Sequence, residues 1–194
     1  MVFLISFVVI FCFTSIHYVS TSTHRKQETK KETTVNQIVQ YMKDEDVSLE
    51  EDEFKTIALT VYEESKQYDL DYRLVLAMMK VESNFKYKAV SPQGARGLMQ
   101  VQPSLAKFIA KDVGIHWAGA RTLDEPDKNI KIGVHFFSTL KEDFDNNVNM
   151  ALHAYNMGPT RLKEILTEKN KPDKTFSNRV LKEYRKNTTI LPDP

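Results

Sequence analysis

The chain has 194 residues, 41% of them hydrophobic and 27% charged, and a formal net charge of +1 at pH 7. This length suits one domain with a sizeable core, and the near-neutral charge predicts no strong attraction to nucleic acid. Six glycines and seven prolines are too few for a sandwich or barrel with many tight turns, and the single cysteine, Cys12, excludes an internal disulfide. A helical domain is the expectation that remains.

The first segment is a continuous apolar run over residues 2–13, followed by small and polar residues. The run has the length of a signal-peptide core and is short for a membrane span, which needs about 20 apolar residues. However, basic residues follow the run from Arg25 onward and none precedes it, against the usual charge bias for export. We therefore expect an exported protein in which residues 1–20 are either a signal peptide or a retained N-terminal membrane anchor.

Residues 21–46 are polar and dense in charge, with few large apolar side chains. This composition is typical of a linker and leaves room for a short helix around 35–42. A single folded domain is then expected over residues 47–190.

Two helices are predicted at the start of this domain. Ser48 followed by Glu51 has the spacing of a capping box and predicts a helix near 49–67. A second helix begins near Asp71 and is apolar around nearly its full girth, which places it at the centre of the fold. This central helix ends on a carboxylate, Glu82.

The remaining segments also favour helices. Proline and glycine positions and apolar spacing predict them at 95–100, 103–113, 126–144, 147–156, from Pro159 onward, and at 176–187. No run alternates with period two for long enough to form a sheet. The fold is predicted to be all-α or mainly α.

Glu82 is the first candidate for chemistry. A buried carboxyl group without a cationic partner has a raised pKa and can act as a general acid near neutral pH. Lys80 is close in sequence, but side chains two residues apart on a helix point to different faces. Most glutamates at helix ends are solvated, so the position alone does not define a site.

Small residues and one amide follow Glu82. Ser91, Gly94, Ala95 and Gly97 allow close approach of a ligand, and the amide of Gln100 both donates and accepts hydrogen bonds. This combination suits the hydroxyl and acetamido groups of a sugar. A tight helix-loop-helix corner without a ligand would also need the glycines.

Three segments together have a recognisable pattern. The first runs from Glu82-Ser83-Asn84-Phe85 through Gly94-Ala95 and Gly97-Leu98-Met99-Gln100 to Pro103, the second contains Leu123, Pro126, Asn129-Ile130 and Gly133, and the third is ALHAYNMGP over 151–159. In this order they resemble the soluble lytic transglycosylases, relatives in fold of goose-type lysozyme, over about residues 65–185. Departures from the family's usual residues are Tyr87, Gln102, Leu105 and Phe176. These departures leave the preferred glycan length and peptide substitution open.

The resemblance implies a lysozyme-like catalytic domain that acts on peptidoglycan. Glu82 would first protonate the β-1,4 bond between N-acetylmuramic acid and N-acetylglucosamine, and then act as base on the muramoyl C6 hydroxyl. The acetamido group would stabilise C1, and the product would carry a 1,6-anhydromuramoyl end. Ser91, Gln100, Tyr155 and Asn156 would bind the glycan or orient Glu82, although Tyr155 also suits a core aromatic.

Two other functions stay open from the sequence. A lysozyme-type hydrolase needs a second carboxylate, for which Asp143 and Asp145 are candidates. A non-catalytic glycan-binding or assembly-scaffold protein is the alternative from another class. No cofactor is expected, and no metal either, because the spacing of His116, His135 and His153 resembles no metal site.

The expected partners are peptidoglycan strands, and no nucleic acid. A secretion, conjugation or appendage assembly is a further expected partner, and the expected location is the periplasm or cell envelope, with or without anchoring to the inner membrane. The C-terminal part is basic, which suits either a solvated helical face or attraction to an anionic polymer: its basic residues are Lys163, Lys169, Lys171, Lys174, Arg179, Lys182, Arg185 and Lys186.

Overall fold

The structure is a computed structural model that describes residues 25–194. The signal peptide or anchor expected over 1–20 lies outside the described residues, as does the start of the expected linker. Between residues 25 and 194, no helix combines the length and the apolarity that crossing a membrane requires.

The described chain is mainly helical. Its elements are α1 (25–44), α2 (Glu51–Gln67), α3 (Tyr72–Ser83), α4 (Pro103–Asp112), a 3₁₀ helix (Ala120–Asp124), α5 (Pro126–Asp143), α6 (Val148–Met157), α7 (Pro159–Thr167) and α8 (Thr175–Ile190). Within residues 25–194, extended pairing is limited to isolated bridges that join Arg96 to Val90 and to Val101. The predicted all-α or mainly α fold is confirmed.

Helix starts follow the local chemistry that the sequence offers. Pro103, Pro126 and Pro159 each occupy the first turn of a helix, where a missing backbone N–H costs nothing. The capping box of α2 differs from the predicted pair by two residues, because Glu50 and Glu53 form it in place of Ser48 and Glu51.

Helix α3 is the buried centre of the fold, as its apolar girth predicts. The carboxylate of Asp71 caps its start by accepting a hydrogen bond from the backbone N–H of Arg73. Leu76, Met78 and Met79 are fully buried, and each such side chain contributes about 1.5–3 kcal/mol through removal from water. Helix α3 packs against both α2 and α8.

The segment expected to be a polar linker contains α1, which packs on the core. Ile38 and Met42 lie one turn apart on this helix and are fully buried, and the ring of Tyr41 meets that of Phe85 edge to face. After α1, Glu45 forms ion pairs with Lys80 and Lys186. A narrow apolar stripe therefore docks a segment whose average composition is that of a linker.

The prediction of a helix at 95–100 is wrong. Arg96 exchanges backbone hydrogen bonds of 3.0 Å with Val101, and the chain between them turns through Gly97 at φ +79° and Gln100 at φ +48°. The positive φ at Gly97 is unfavourable for a residue with a side chain, and a right-handed helix cannot continue through it. The result is a compact turn that faces the end of α3.

Candidate active site

Glu82 lies in the last turn of α3 and faces an open cleft of about 680 Å³. The helix ends at Ser83, and the next residue, Asn84, adopts the left-handed conformation with φ 50°. Beside Glu82, the buried hydroxyl of Ser83 lies 2.9 Å from the carbonyl oxygen of Leu98 and 3.1 Å from that of Met79. Ser83 thus fastens the helix end to the turn that forms the opposite side of the cleft.

Burial raises the pKa of Glu82 to about 7, and the positive charge of Arg179 opposes this rise. No hydrogen bond or ion pair within residues 25–194 engages the carboxyl group. Lys80 also lines the cleft, but its ammonium group is paired with Glu45 at 2.7 Å. Near neutral pH, Glu82 therefore exists in both protonation states, as a group that first gives and then takes a proton requires.

The turn opposite Glu82 is fixed by the buried amide of Asn129 on α5. Its Oδ1 accepts a hydrogen bond of 2.8 Å from the backbone N–H of Met99, and its Nδ2 donates to the carbonyl oxygens of Arg96 and Leu123 at 2.9 and 3.0 Å. A Cβ atom added to Gly97 would lie 2.1 Å from this Nδ2. Only glycine fits at residue 97 without displacing the amide.

Tyr155 supports the same turn from α6. Its hydroxyl donates a hydrogen bond of 2.8 Å to the carbonyl oxygen of Met99, and its ring packs at 5.4 Å from that of Phe136 and 6.1 Å from that of Phe137. Burial raises the pKa of Tyr155 well above its ordinary value, and the nearby charge of Glu82 adds to the rise. Tyr155 is both a packed aromatic and a neighbour of the carboxyl group.

Ser91 and Gln100 line the cleft together with Glu82. The Nε2 of Gln100 donates hydrogen bonds to the carbonyl oxygens of Ala89 and Gly97 at 3.2 and 2.9 Å. The Oε1 atom of the same amide can therefore accept a hydrogen bond from a ligand. The hydroxyl oxygen of Ser91 accepts a hydrogen bond of 3.1 Å from the backbone N–H of Ala95, so its proton can be donated. The cleft thus offers one neutral acceptor and one neutral donor near the acid.

Asn156 is placed differently from the other predicted site residues. It follows Tyr155 on α6, is exposed, and is not among the described residues that line the cleft. Asp143 and Asp145, the sequence candidates for a second carboxylate, are exposed near the end of α5 and are also outside the cleft.

Helix α8 supplies cleft residues that were not predicted to lie at the site, although Arg179 and Lys182 were noted above as part of a basic C-terminal segment. Arg179, Lys182 and Glu183 line the wall that faces the turn. Their spacing puts them on one side of a helix, which the sequence does show, but only the packing of α8 along α3 brings that side to Glu82. Glu183 is engaged by Lys186 at 3.3 Å.

Within residues 25–194, no group of three His, Cys, Asp or Glu side chains could hold a metal ion. The cleft offers one carboxyl group with a raised pKa, neutral hydrogen-bonding groups, the cations of Arg179 and Lys182, and two charges that have partners, Lys80 and Glu183.

A family model described as "Transglycosylase SLT domain" matches residues 60–178. The chain belongs to this family. The match runs from the middle of α2 into the start of α8 and includes Glu82, the turn and Tyr155, but it ends before the cleft residues of α8.

Curated relatives agree with the family. The SLT domain is similar to the soluble lytic murein transglycosylase of Salmonella typhimurium, with 36% identity over 99 residues, 50% of this chain and 15% of that protein. The protein of the same name in Escherichia coli is 33% identical over 106 residues, 54% of this chain and 16% of that protein. The chain therefore spans about a sixth of the length of these relatives.

Solved structures give the same fold. The lytic transglycosylase Slt of Pseudomonas aeruginosa, solved as an inactive glutamate-to-glutamine mutant, has a TM-score of 0.53 and 28% identity over 68% of this chain and 22% of that chain. A 70-kDa soluble lytic transglycosylase in complex with bulgecin A has a TM-score of 0.53 and 28% identity, over 56% of this chain and 18% of that chain. The predicted lysozyme-like architecture is confirmed.

Proposed function

We propose that the protein is a peptidoglycan lytic transglycosylase in which Glu82 acts first as acid and then as base. It cleaves the β-1,4 bond between N-acetylmuramic acid and N-acetylglucosamine and leaves a 1,6-anhydromuramoyl end. The observation that supports this most directly is a carboxyl group whose pKa burial raises to about 7 and which lines an open cleft, in a chain with an SLT domain.

In the first half of the reaction, protonated Glu82 gives its proton to the glycosidic oxygen. The bond between this oxygen and the muramoyl C1 breaks, and the N-acetylglucosamine portion leaves as an alcohol. The acetamido oxygen of the muramoyl residue stabilises the positive charge that develops at C1. A raised pKa favours this step, because at neutral pH an ordinary glutamate would already have lost the proton.

In the second half, the Glu82 carboxylate takes the proton from the muramoyl C6 hydroxyl. The freed O6 attacks C1 and closes the 1,6-anhydro ring, and Glu82 returns to its protonated form. No water is consumed. One carboxyl group near its own pKa can perform both steps without a large energetic cost in either direction.

The neutral groups around Glu82 have supporting roles in this proposal. Gln100 Oε1 and the Ser91 hydroxyl hold the amide and hydroxyl groups of the sugars. Tyr155 positions the segment from Met99 to Gln100 through its hydrogen bond to the Met99 carbonyl. Asn156, next to Tyr155 on α6, is proposed to help position the acetamido group, and it is exposed and outside the cleft lining.

The carboxylates of the cleft favour a transglycosylase over a hydrolase. Hydrolysis requires a second carboxylate as nucleophile or as base for water. Of the described residues that line the cleft, Glu183 is the other carboxylate, and Lys186 engages it. Relatives of the chain are named soluble or membrane-bound lytic murein transglycosylases, which supports the same choice.

The names of these relatives also support a place in the cell envelope. We extend this to export into the periplasm, with residues 1–20 as signal peptide or as anchor to the inner membrane. Service to a secretion, conjugation or appendage assembly belongs to the same proposal, since each must pass the peptidoglycan layer.

Digestion of purified peptidoglycan by the full chain tests the reaction, with mass spectrometry of the products. We expect anhydro ends, which are lighter by one water than reducing ends. Glu82→Gln keeps the size of the side chain and should reduce product formation by about 10²- to 10⁴-fold, the usual contribution of a general acid-base group. Asp143→Asn, a carboxylate outside the cleft, is the matched control and should remain active.

Each other outcome points elsewhere. Reducing ends that depend on Glu82 would move the protein to the lysozyme-type hydrolases. Products that persist in Glu82→Gln would remove Glu82 from the mechanism, and absence of any product would leave a glycan-binding or scaffold role.

A further inference from the structure

Two cationic side chains in the cleft have no partner in the described part of the chain. Arg179 and Lys182 are three residues apart on α8, share its cleft-facing side, and form no ion pair or hydrogen bond within residues 25–194. They line the same cleft as Glu82, together with the neutral side chains of Ser91 and Gln100 and two further charged residues, Lys80 and Glu183.

The neighbouring charges do not neutralise this pair. Glu183 is the acidic residue closest in sequence, but its carboxylate lies 3.3 Å from the ammonium group of Lys186, on the following turn. Lys80, the third cation in the lining, is paired with Glu45 at 2.7 Å. The cleft therefore has an excess of positive charge on the α8 wall.

A purely solvated helical face is the competing explanation, and α8 provides an internal comparison for it. Arg185 is exposed on the same helix but does not line the cleft. Arg179, by contrast, is close enough to Glu82 to lower the pKa of that carboxyl group, which works against the burial that keeps it protonated. Without an anionic ligand, an unpaired arginine at this place opposes the proposed acid.

We propose that Arg179 and Lys182 form a carboxylate-binding subsite that determines which glycan strands the cleft accepts. This inference rests on the proposed function, because the muramoyl residue at the scissile bond has a lactyl group on O3 that ends in a carboxyl group. That carboxyl is free in bare strands, and in substituted strands it is joined to a peptide that has carboxylates of its own. The guanidinium and ammonium groups bind either carboxylate by charge-assisted hydrogen bonds.

Binding at this subsite also prepares the acid. The charged or titratable groups that face Glu82 are Arg179, Lys182 and Glu183 from α8, Tyr155 from α6 and Lys80 on its own helix. A substrate carboxylate on Arg179 cancels part of the positive potential at Glu82, so the pKa of Glu82 rises when an anionic strand binds. A neutral strand leaves the acid more readily ionised.

A binding experiment separates this subsite from the reaction. The full chain with Glu82→Gln binds strands without turnover, and calorimetry gives its affinity for three probes. These are peptide-substituted strands, strands stripped of peptide that keep free lactyl carboxylates, and stripped strands whose carboxyl groups have been converted to amides. Arg179→Gln with Lys182→Gln is the test variant, and Arg185→Gln is the matched control on the same helix.

We expect the test variant to bind the anionic strands about five- to fiftyfold more weakly, as loss of charged hydrogen bonds at a partly exposed site predicts. Its affinity for the amidated strands should not change, and Arg185→Gln should match the parent for all three. A loss seen with stripped strands assigns the subsite to the lactyl carboxylate, and a loss confined to substituted strands assigns it to the peptide.

Equal weakening for charged and amidated strands, no weakening at all, or the same weakening in Arg185→Gln would overturn the subsite. The wild-type digestion reports separately on the reaction. If it yields no product while the charge-dependent binding is present, the proposed reaction fails and the carboxylate subsite stands. If anhydro products form and binding ignores charge, only the subsite fails.

Discussion

The two walls of the cleft are built in opposite ways. The wall formed by the turn around Met99 is neutral, and its backbone is held by Asn129, Tyr155 and Ser83 through hydrogen bonds of 2.8 to 3.0 Å. The α8 wall presents Arg179 and Lys182, long charged side chains that solvent reaches. The first wall fixes atoms relative to Glu82, and the second supplies charge from flexible side chains.

This difference separates two tasks of an enzyme. Proton transfer to and from a sugar requires groups held at one position, and buried hydrogen bonds hold them there. A substitution that breaks such a hydrogen bond is therefore poorly tolerated. Attraction of an anionic substituent requires charge but little fixed geometry, and exposed cations provide this while contributing little to stability. Substitutions in the neutral wall should therefore damage folding, whereas those in the α8 wall should leave folding intact and alter ligand preference.

The largest effect on folding is expected from Gly97→Ala. The new methyl group would collide with the Asn129 amide and the Leu123 carbonyl, at 2.1 and 2.5 Å. We expect a loss of about 2–4 kcal/mol in the free energy of unfolding, from overpacking together with a positive φ. Urea denaturation followed by circular dichroism measures it.

Gly94→Ala is the matched control for this substitution. Gly94 has φ +82°, close to the +79° of Gly97, but an added Cβ would have no heavy atom within 4 Å. It should cost only about 1 kcal/mol, which isolates the backbone contribution. Equal losses for the two variants would show that the neutral wall is not tightly fitted.

An intermediate effect is expected for Glu82, which stands between the walls. Its pKa of about 7 in the folded protein exceeds the ordinary 4.5, so protonation favours the folded state. This contribution is complete below the unfolded pKa, declines as pH rises through the folded pKa, and is absent above it. Glu82→Gln should therefore be more stable than wild type by about 2–3 kcal/mol at pH 8 and equal to it at pH 4.

Parallel urea titrations of the two proteins across this pH range provide the measurement. A stability difference that does not vary between pH 4 and pH 8 would contradict a buried, proton-binding carboxyl group at the end of α3.

The smallest effect on folding is expected from Arg179→Gln in the α8 wall. Because the side chain is exposed and forms no ion pair in the described part of the chain, the free energy of unfolding should change by less than about 0.5 kcal/mol. The pKa of Glu82 should rise, since Arg179 lowers it. Carbon-13 NMR titration of the glutamate carboxyl groups measures this pKa, and Arg185→Gln should leave it unchanged.

If Arg179→Gln destabilises the protein as much as Gly97→Ala does, the contrast between the two walls is lost. An unchanged Glu82 pKa in Arg179→Gln would instead show that the two side chains do not sense each other.

Much of the fold follows from local patterns. The central position of α3 is legible from its apolar girth, and the starts of α4, α5 and α7 from Pro103, Pro126 and Pro159. The docking of α1 on the core does not follow from local patterns, because the average polarity of this segment indicates a linker and only a stripe around Ile38 and Met42 meets the core. The turn at 95–100 does not follow from local patterns either, because its bridges depend on contacts that short-range propensity does not include.

The candidate site divides in the same way. Glu82, Ser91 and Gln100 lie close together in sequence after one helix, and the structure brings all three to one cleft. Asn156 shares its sequence segment with Tyr155, but neighbours on a helix point in different directions, and only Tyr155 reaches the turn.

Local sequence patterns are enough to predict an α-helical chain with a carboxylate at the end of its most apolar helix and a glycine-containing segment after it. Local propensity and hydrophobic pattern encode those features within a few residues of each other. The surroundings of the carboxylate come from the folded arrangement: the burial that raises its pKa, the Asn129 amide that requires Gly97, and the cations of α8. These depend on residues far apart in the chain, which packing alone brings together.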